Sequence, residues 1–261
     1  MSPTLHLRDS GSGEPIVILH GMFGSGRNWQ SIARALATQR RVLVVDLRNH
    51  GESFHAPAMD YPVMAADVAA AMDAAGVARA AILGHSMGGK TAMQFALDHG
   101  ARVERLIVVD IAPVAYPAHH VAQFERIVAR LRALPLASIG SRAEADRALS
   151  QTVADAETRG FLLQNLLREG DGWRWRIDLE AIRANLPRLM GFPAAGDATY
   201  GGPALFLGGG DSTGILPEHE PAIAARFPAA IVERMNGAGH NPHSQMPEAF
   251  LARVQRFLAG N

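Results

Sequence analysis

Ala80-Ala81-Ile82-Leu83-Gly84-His85-Ser86-Met87-Gly88-Gly89-Lys90-Thr91 decides how the rest of this chain is read. Its opening apolar run predicts a buried strand, and the Ala/Met/Leu-rich stretch from Thr91 to Leu97 predicts a helix. Between them lies Gly84-x-Ser86-x-Gly88. In a nucleophile elbow a serine sits in a strained strand-to-helix turn, so that its hydroxyl projects from the carboxyl edge of the sheet. Such a turn brings the flanking backbones close, and a side chain at Gly84 or Gly88 would obstruct it. The helix that follows points its first N–H groups at the same place, which favours negative charge there.

The same letters fit a second pattern. Gly84-x-x-x-x-Gly89-Lys90-Thr91 satisfies the P-loop motif, also between strand and helix. Leu106-Ile107-Val108-Val109-Asp110 has the form of the strand that places a magnesium-binding aspartate. The two loops exclude each other. A P-loop wraps phosphates with successive N–H groups, whereas an elbow is a tight turn that exposes one side chain.

The remainder of the chain bears on the choice. Its 261 residues suffice for one large α/β domain or a domain with an insertion, and 48% hydrophobic content supports a sizeable core. Lys+Arg and Asp+Glu balance at 25 each, so no global field recruits nucleic acid or an anionic membrane. Zero cysteines exclude disulfides, a thiol nucleophile and a cysteine-ligated metal. Met1 to Pro15 is polar, and no stretch reaches about 18 uninterrupted apolar residues, so a cytoplasmic protein off the membrane is expected.

Strand and helix patterns alternate through the first part of the chain. Thr4 to Arg8 alternates like an edge strand and runs into the turn Asp9-Ser10-Gly11-Ser12-Gly13. Pro15 to Leu19 and Arg41 to Val45 are continuous apolar runs, as in strands covered on both faces. Helices are expected over about 28–38 and 61–75, and a further strand from Val103 to Val109. This rhythm predicts an α/β fold with an open, mostly parallel sheet whose ligand site lies at the carboxyl ends of the strands. It stops at Ala112. From Ala118 to about Met190 the patterns are helical, with Trp173 to Ile177 alternating only briefly, and a linker spans about Gly191 to Gly202. The rhythm resumes with a strand from Ala204 to Gly208, a helix near 217–226, a strand from Ala230 to Met235 and a helix over about 247–258. Residues 1–111 and 203–261 are therefore expected to form the core, and 112–202 a helical cap of about four helices.

A serine hydroxyl needs a neighbouring base, usually a histidine oriented by a carboxylate, and in this chain order the histidine comes last. His240, in Gly237-Ala238-Gly239-His240 just after the final strand, fits that place. His243 reads as a solvent-facing neighbour, while His85, His50 and His20 read as structural or pocket-lining. Two aspartates follow strand ends. Asp211 occupies the commoner position, and Asp110 follows the strand directly after Ser86. Tetrahedral oxyanions need fixed N–H donors, and the backbone N–H groups of Met87 and Met22 are the candidates. Phe23, Phe161, Trp173 and Trp175 are aromatic candidates for the pocket or the cap–core contact.

The chain resembles the α/β-hydrolase superfamily along essentially its whole length, and more narrowly the YbfF-type esterases. The matching pieces are His20-Gly21-Met22-Phe23-Gly24, Asp46-Leu47-Arg48-Asn49-His50-Gly51, Gly84 to Lys90, Asp110-Ile111-Ala112-Pro113-Val114, Phe161-Leu162-Leu163-Gln164-Asn165-Leu166 and Gly237 to His240. The resemblance implies a serine carboxylesterase or thioesterase, working on small-molecule esters or thioesters without a cofactor through Ser86 and His240. It implies Asp110 as the acid, with Asp211 a departure from the group's pattern. It also implies that Lys90 and Thr91 lie in the first helical turns and face no phosphate. A non-hydrolytic ligand receptor of the same fold is the other expectation. Oligomeric state is not legible in these residues.

Overall fold

The computed structural model describes residues 3–193, 196 and 198–260. The strands in chain order are β1 (Leu7–Ser10), β2 (Pro15–Leu19), β3 (Arg41–Val45), β4 (Ala80–His85), β5 (Val103–Val109), β6 (Leu166–Glu169), β7 (Gly172–Trp175), β8 (Ala204–Gly209) and β9 (Ala230–Met235). Seven of them form one sheet in the order β1-β3-β2-β4-β5-β8-β9. Only β1 runs antiparallel, against β3. The central strands β4 and β8 are buried at every position, which is why they read as unbroken apolar runs rather than alternating ones.

The helices are α1 (Gln30–Leu36), α2 (Tyr61–Ala74), α3 (Met87–Asp98), α4 (Ala118–Arg132), α5 (Arg142–Ser150), α6 (Ala156–Leu163), α7 (Leu179–Met190), α8 (Glu220–Arg226), α9 (Pro242–Gln245) and α10 (Pro247–Leu258). Successive strand residues face opposite sides of the sheet. Val17, Leu19, Ile82, Leu106 and Val108 join one core with Met64 and Val68 of α2 and Phe95 of α3. Ile16, Ile18, Leu83, Ile107 and Val109 join the other with Ile32 of α1 and Phe250 and Val254 of α10. Each such side chain, fully buried, contributes about 1.5–3 kcal/mol of transfer free energy.

Four helices, α4 to α7, lie between β5 and β8, together with an antiparallel hairpin, β6–β7. The hairpin corrects the expectation that this stretch holds no convincing strand. Glu169 faces Gly172 across a turn whose Gly170 has φ 57°, so four-residue strands close over a glycine turn. Strands this short carry too few alternating positions to register in the sequence pattern. Three smaller differences also appear. β1 begins later than the alternation from Thr4 predicts, the helix expected from about residue 28 opens with a 3-10 turn at Gly26–Trp29, and α9 has no counterpart in the sequence pattern. The expected linker, 191–202, falls partly outside the described residues. Among the described residues no helix is long and apolar enough to cross a membrane.

Candidate active site

Ser86 follows β4 directly and α3 begins at the next residue. Its backbone sits at φ 52°, ψ −118°, a region a side-chain-bearing residue occupies only under constraint from its surroundings. The constraint is the close approach of the two flanking segments. A Cβ built on Gly84 would lie 2.1 Å from the carbonyl oxygen of Gly88, and one on Gly88 would lie 2.5 Å from the oxygens of Leu19 and His20. A loop this tight has no room to wrap a phosphate, so the P-loop pattern is a coincidence of letters. Lys90 and Thr91 are both buried within α3.

Asp110 stands at the end of β5, adjacent to β4, also with positive φ (52°), and is fully buried. Its Oδ1 accepts the Gly209 N–H at 2.8 Å, and its Oδ2 lies 2.6 Å from Nδ1 of His240. Oδ2 also accepts the Ser212 hydroxyl, a contact no sequence motif announced. Asp211 does not enter this network. Its side chain is exposed and makes no hydrogen bond among the described residues, while its N–H is used in the turn against Ala238. The three glycines after Leu207, Gly208 to Gly210, carry it past the strand end and out to solvent.

His240 is roughly half exposed, 47% for the side chain, and shares a cavity wall with Ser86. The two side chains are not hydrogen-bonded here; such contacts commonly tighten only when substrate binds. His85 is buried and its Nε2–H donates to the His240 carbonyl at 2.8 Å, fixing both its own tautomer and the backbone of the His240 loop. Burial, followed by the neighbouring rings of His240 and His243, holds His85 well below the ordinary histidine range. His243 corrects an expectation. It is 6% exposed and stacks on Trp29 at 4.2 Å with the planes 8° apart, and burial brings its pKa down to about 3. The short helix α9 turns it inward, and four residues are too few to signal that in the sequence.

The loop after β2 is held by two neutral histidines. His20 donates from Nδ1 to the Gly21 oxygen at 2.8 Å and accepts the Leu47 N–H on Nε2 at 3.0 Å. His50 donates from Nδ1 to the Arg48 oxygen and accepts the Phe23 N–H on Nε2 at 3.1 Å. Burial lowers both, His50 to about 3. Asp46 is pulled upward by burial, but N–H groups of Gly26 and Glu52 and the nearby His20 and His6 outweigh that and keep it low. With the Phe23 N–H engaged, the Met22 and Met87 N–H groups are left without a partner among the described residues. Met22 and Met87 both line the cavity that Ser86 also lines.

That cavity encloses about 870 Å³. Phe23, Met22, Met87, Ile111, Phe124, Ile127, Phe161 and Leu162 make its apolar surface. Trp173 does not line it, nor does Trp175, and the pocket reading of Trp173 is corrected. The Trp173 indole donates to the Ile139 oxygen at 2.9 Å, and the Arg142 and Arg168 guanidinium groups stand 5.7 and 5.2 Å from its ring, all within the inserted segment. The insertion instead reaches the site through Gln164-Asn165. The Asn165 side chain donates to the Phe23 oxygen at 2.7 Å, and Asn28 donates to Gln164 at 3.0 Å. Among the described residues no group of three His, Cys, Asp or Glu side chains is placed to hold a metal ion.

A family model described as "alpha/beta hydrolase fold" matches residues 14–247. The chain is 42% identical over 251 residues to the sn-1-specific diacylglycerol lipase ABHD11 of Mus musculus, covering 94% of this chain and 80% of that protein. It is 34% identical over 244 residues to the esterase YbfF of Escherichia coli, covering 94% and 92% of the two. A solved structure, described as a marine microorganism esterase, superposes with a TM-score of 0.95 at 38% identity, covering 98% of this chain and all of that one.

Proposed function

The chain belongs to the α/β-hydrolase family and is a hydrolase of the esterase and lipase kind, and from that premise we propose that Ser86, His240 and Asp110 are its nucleophile, base and acid for cleaving small carboxylic esters or acyl thioesters. The observation that carries the reading is the 2.6 Å contact between the buried Asp110 carboxylate and His240 Nδ1, made beside a serine held at φ 52°. A carboxylate on Nδ1 leaves Nε2 as the free base, facing the cavity wall that Ser86 shares.

In this reading Ser86 Oγ attacks the ester carbonyl carbon as His240 Nε2 takes its proton. The oxyanion of the tetrahedral intermediate is met by the Met22 and Met87 N–H groups, and by the positive end of α3. Asp110 stabilises the imidazolium so formed. Collapse of the intermediate breaks the bond to the alcohol or thiol, which departs with the proton from His240. Water, deprotonated by the same histidine, then attacks the acyl-Ser86 bond and regenerates the hydroxyl.

The cavity lining favours an uncharged leaving group. Among the described residues it contains a single lysine or arginine, Lys90, whose protons are given to backbone oxygens, whereas Asp155 and Glu157 stand at the wall formed by α6. A polyphosphate carrier such as coenzyme A therefore finds no available cation in that lining to meet it. We assign residues 112–202 the role of a cap that shapes the acyl end of the cavity, supported by Phe124, Ile127, Phe161 and Leu189 in its wall. The test is a fluorophosphonate, expected to label the wild type and not Ser86→Ala, followed by p-nitrophenyl esters and acyl-CoAs of matched chain length. Wild type left unlabelled and inactive on every ester and thioester would sink the reading.

A further inference from the structure

Lys90 is the only lysine in the chain; arginine supplies the other 24 of the 25 basic residues. It lies on α3, four residues after Ser86, and is 1% exposed. Among the described residues its ammonium pairs with no carboxylate. Instead it donates to three backbone oxygens, those of Val114 at 2.9 Å, Met190 at 3.1 Å and Gly191 at 2.6 Å. The rings of Tyr116 and Tyr61 stand 4.7 and 5.8 Å away.

Burying an ammonium is costly, and a well-packed apolar side chain of the same volume would avoid the cost. Burial draws Lys90 down to about 7; hydrogen bonds to three carbonyl oxygens and two nearby aromatic faces are what such an ammonium needs to stay charged. An ammonium supplies three diverging donors from one point, which the planar fork of arginine cannot do. The identity of the three acceptors gives the arrangement a purpose. Val114 lies just beyond β5, where the chain leaves the sheet, and Met190 and Gly191 lie at the end of α7, shortly before the chain returns to it. The oxygens at the end of α7 also form the negative end of that helix. The Tyr116 N–H closes the two ends on each other by donating to the Met190 oxygen at 3.0 Å. The Tyr116 hydroxyl accepts the Ala112 N–H at 3.0 Å and donates to the Gly214 oxygen, in the loop that carries Ser212. A single side chain on the nucleophile helix thus gathers both ends of the insertion.

We propose that Lys90 is a positioning residue that clamps the entry and exit of the 112–202 segment onto the helix following Ser86, and thereby sets the apolar depth of the cavity where Tyr61, Leu189 and Met190 line it. This rests on the hydrolase reading for its consequence in substrate preference, though not for the clamp itself. Lys90 touches no reacting atom, so its loss moves binding of long acyl chains and leaves the chemical step in place.

The test compares wild type with Lys90→Met, which keeps the length and removes the donors, and Lys90→Gln, which keeps two donors. Two readouts are taken: kinetics on p-nitrophenyl acetate, butyrate and octanoate, and limited proteolysis at the many arginines of 112–202. Expected for Lys90→Met are a KM for octanoate raised at least tenfold, a kcat for acetate within threefold of wild type, and cleavage within 112–202 accelerated at least tenfold. Lys90→Gln is expected between the two, and it carries the comparison alone where Lys90→Met does not fold. Unchanged chain-length ranking together with unchanged proteolysis in a folded variant overturns the clamp. So does a uniform fall in kcat on all three esters without faster proteolysis. A wild type that hydrolyses no ester refutes the reading of the site, while the proteolysis comparison still decides the clamp.

Discussion

Asp110 and His240, 130 residues apart in sequence, meet at 2.6 Å, the carboxylate fully buried and the imidazole half exposed. An aspartate so placed fixes which ring nitrogen is free and stabilises the imidazolium that forms during attack. Asp110→Asn is expected to lower kcat by about 10⁴-fold, the scale of the equivalent change in serine proteases, with KM little altered. Asp211→Asn, at an exposed position, is expected to stay within about 0.5 kcal/mol of wild type in stability and near wild type in rate. Measuring kcat and melting temperature for both decides the matter. A crippled Asp211→Asn beside an active Asp110→Asn would reverse the assignment.

Ser212 donates to Asp110 Oδ2 and accepts the Gly214 N–H at 3.1 Å, so it ties the carboxylate to the loop after β8. A hydrogen bond to a charged group is worth about 1.5–3 kcal/mol. Ser212→Ala leaves Gly209 and His240 still on the carboxylate, and kcat is expected to fall about tenfold. Ser212→Thr should recover most of it. A kcat unchanged in Ser212→Ala would show that the hydroxyl contributes nothing to holding Asp110.

Glycine requirements differ sharply along the chain. Gly84→Ala would place a methyl group 2.1 Å from the Gly88 oxygen, against backbone that cannot step aside, and soluble folded protein is not expected. Gly160 sits inside α6 with nothing within 4 Å of where a Cβ would stand, and Gly160→Ala is expected to stabilise by about 0.5–1 kcal/mol. The soluble yield of Gly84→Ala and urea denaturation of Gly160→Ala beside wild type measure the contrast. A stable, active Gly84→Ala would mean the elbow is looser than its backbone indicates.

Acid should destabilise the fold through its buried neutral histidines. His50 and His243 are lowered from 6.5 to about 3, each chiefly by burial. Between these values the unfolded chain binds protons that the folded one does not, so the stability is complete above pH 6.5 and is lost as pH falls toward 3. Each histidine contributes a slope of about 1.4 kcal/mol per pH unit in that window. Protonation of His50 also removes the acceptor of the Phe23 N–H, so the loop bearing Met22 should loosen first. His243→Phe keeps the stack on Trp29 and should flatten the slope by one histidine's share. Unfolding free energies from pH 7.5 to 4.5 check this; identical slopes for wild type and His243→Phe would contradict it.

What the sequence determined by itself is what short-range sterics and periodicity encode. The elbow was legible because Gly84 and Gly88 stand where no Cβ fits, and the sheet because its central strands are apolar at every position. The place of the insertion was legible because the strand rhythm stops near Ala112 and resumes near Ala204. The tertiary structure decided what depends on which way a side chain turns after the strand ends. Asp110 and Asp211 follow the neighbouring parallel strands β5 and β8, and as residue types they are interchangeable; the left-handed backbone at Asp110 turns one inward, and three added glycines, Gly208 to Gly210, carry the other out to solvent. Ser212, the stacked His243 and the three oxygens around Lys90 were invisible for the same reason. Their partners are backbone groups and rings brought close only by packing, and no local pattern in the chain records such a neighbour.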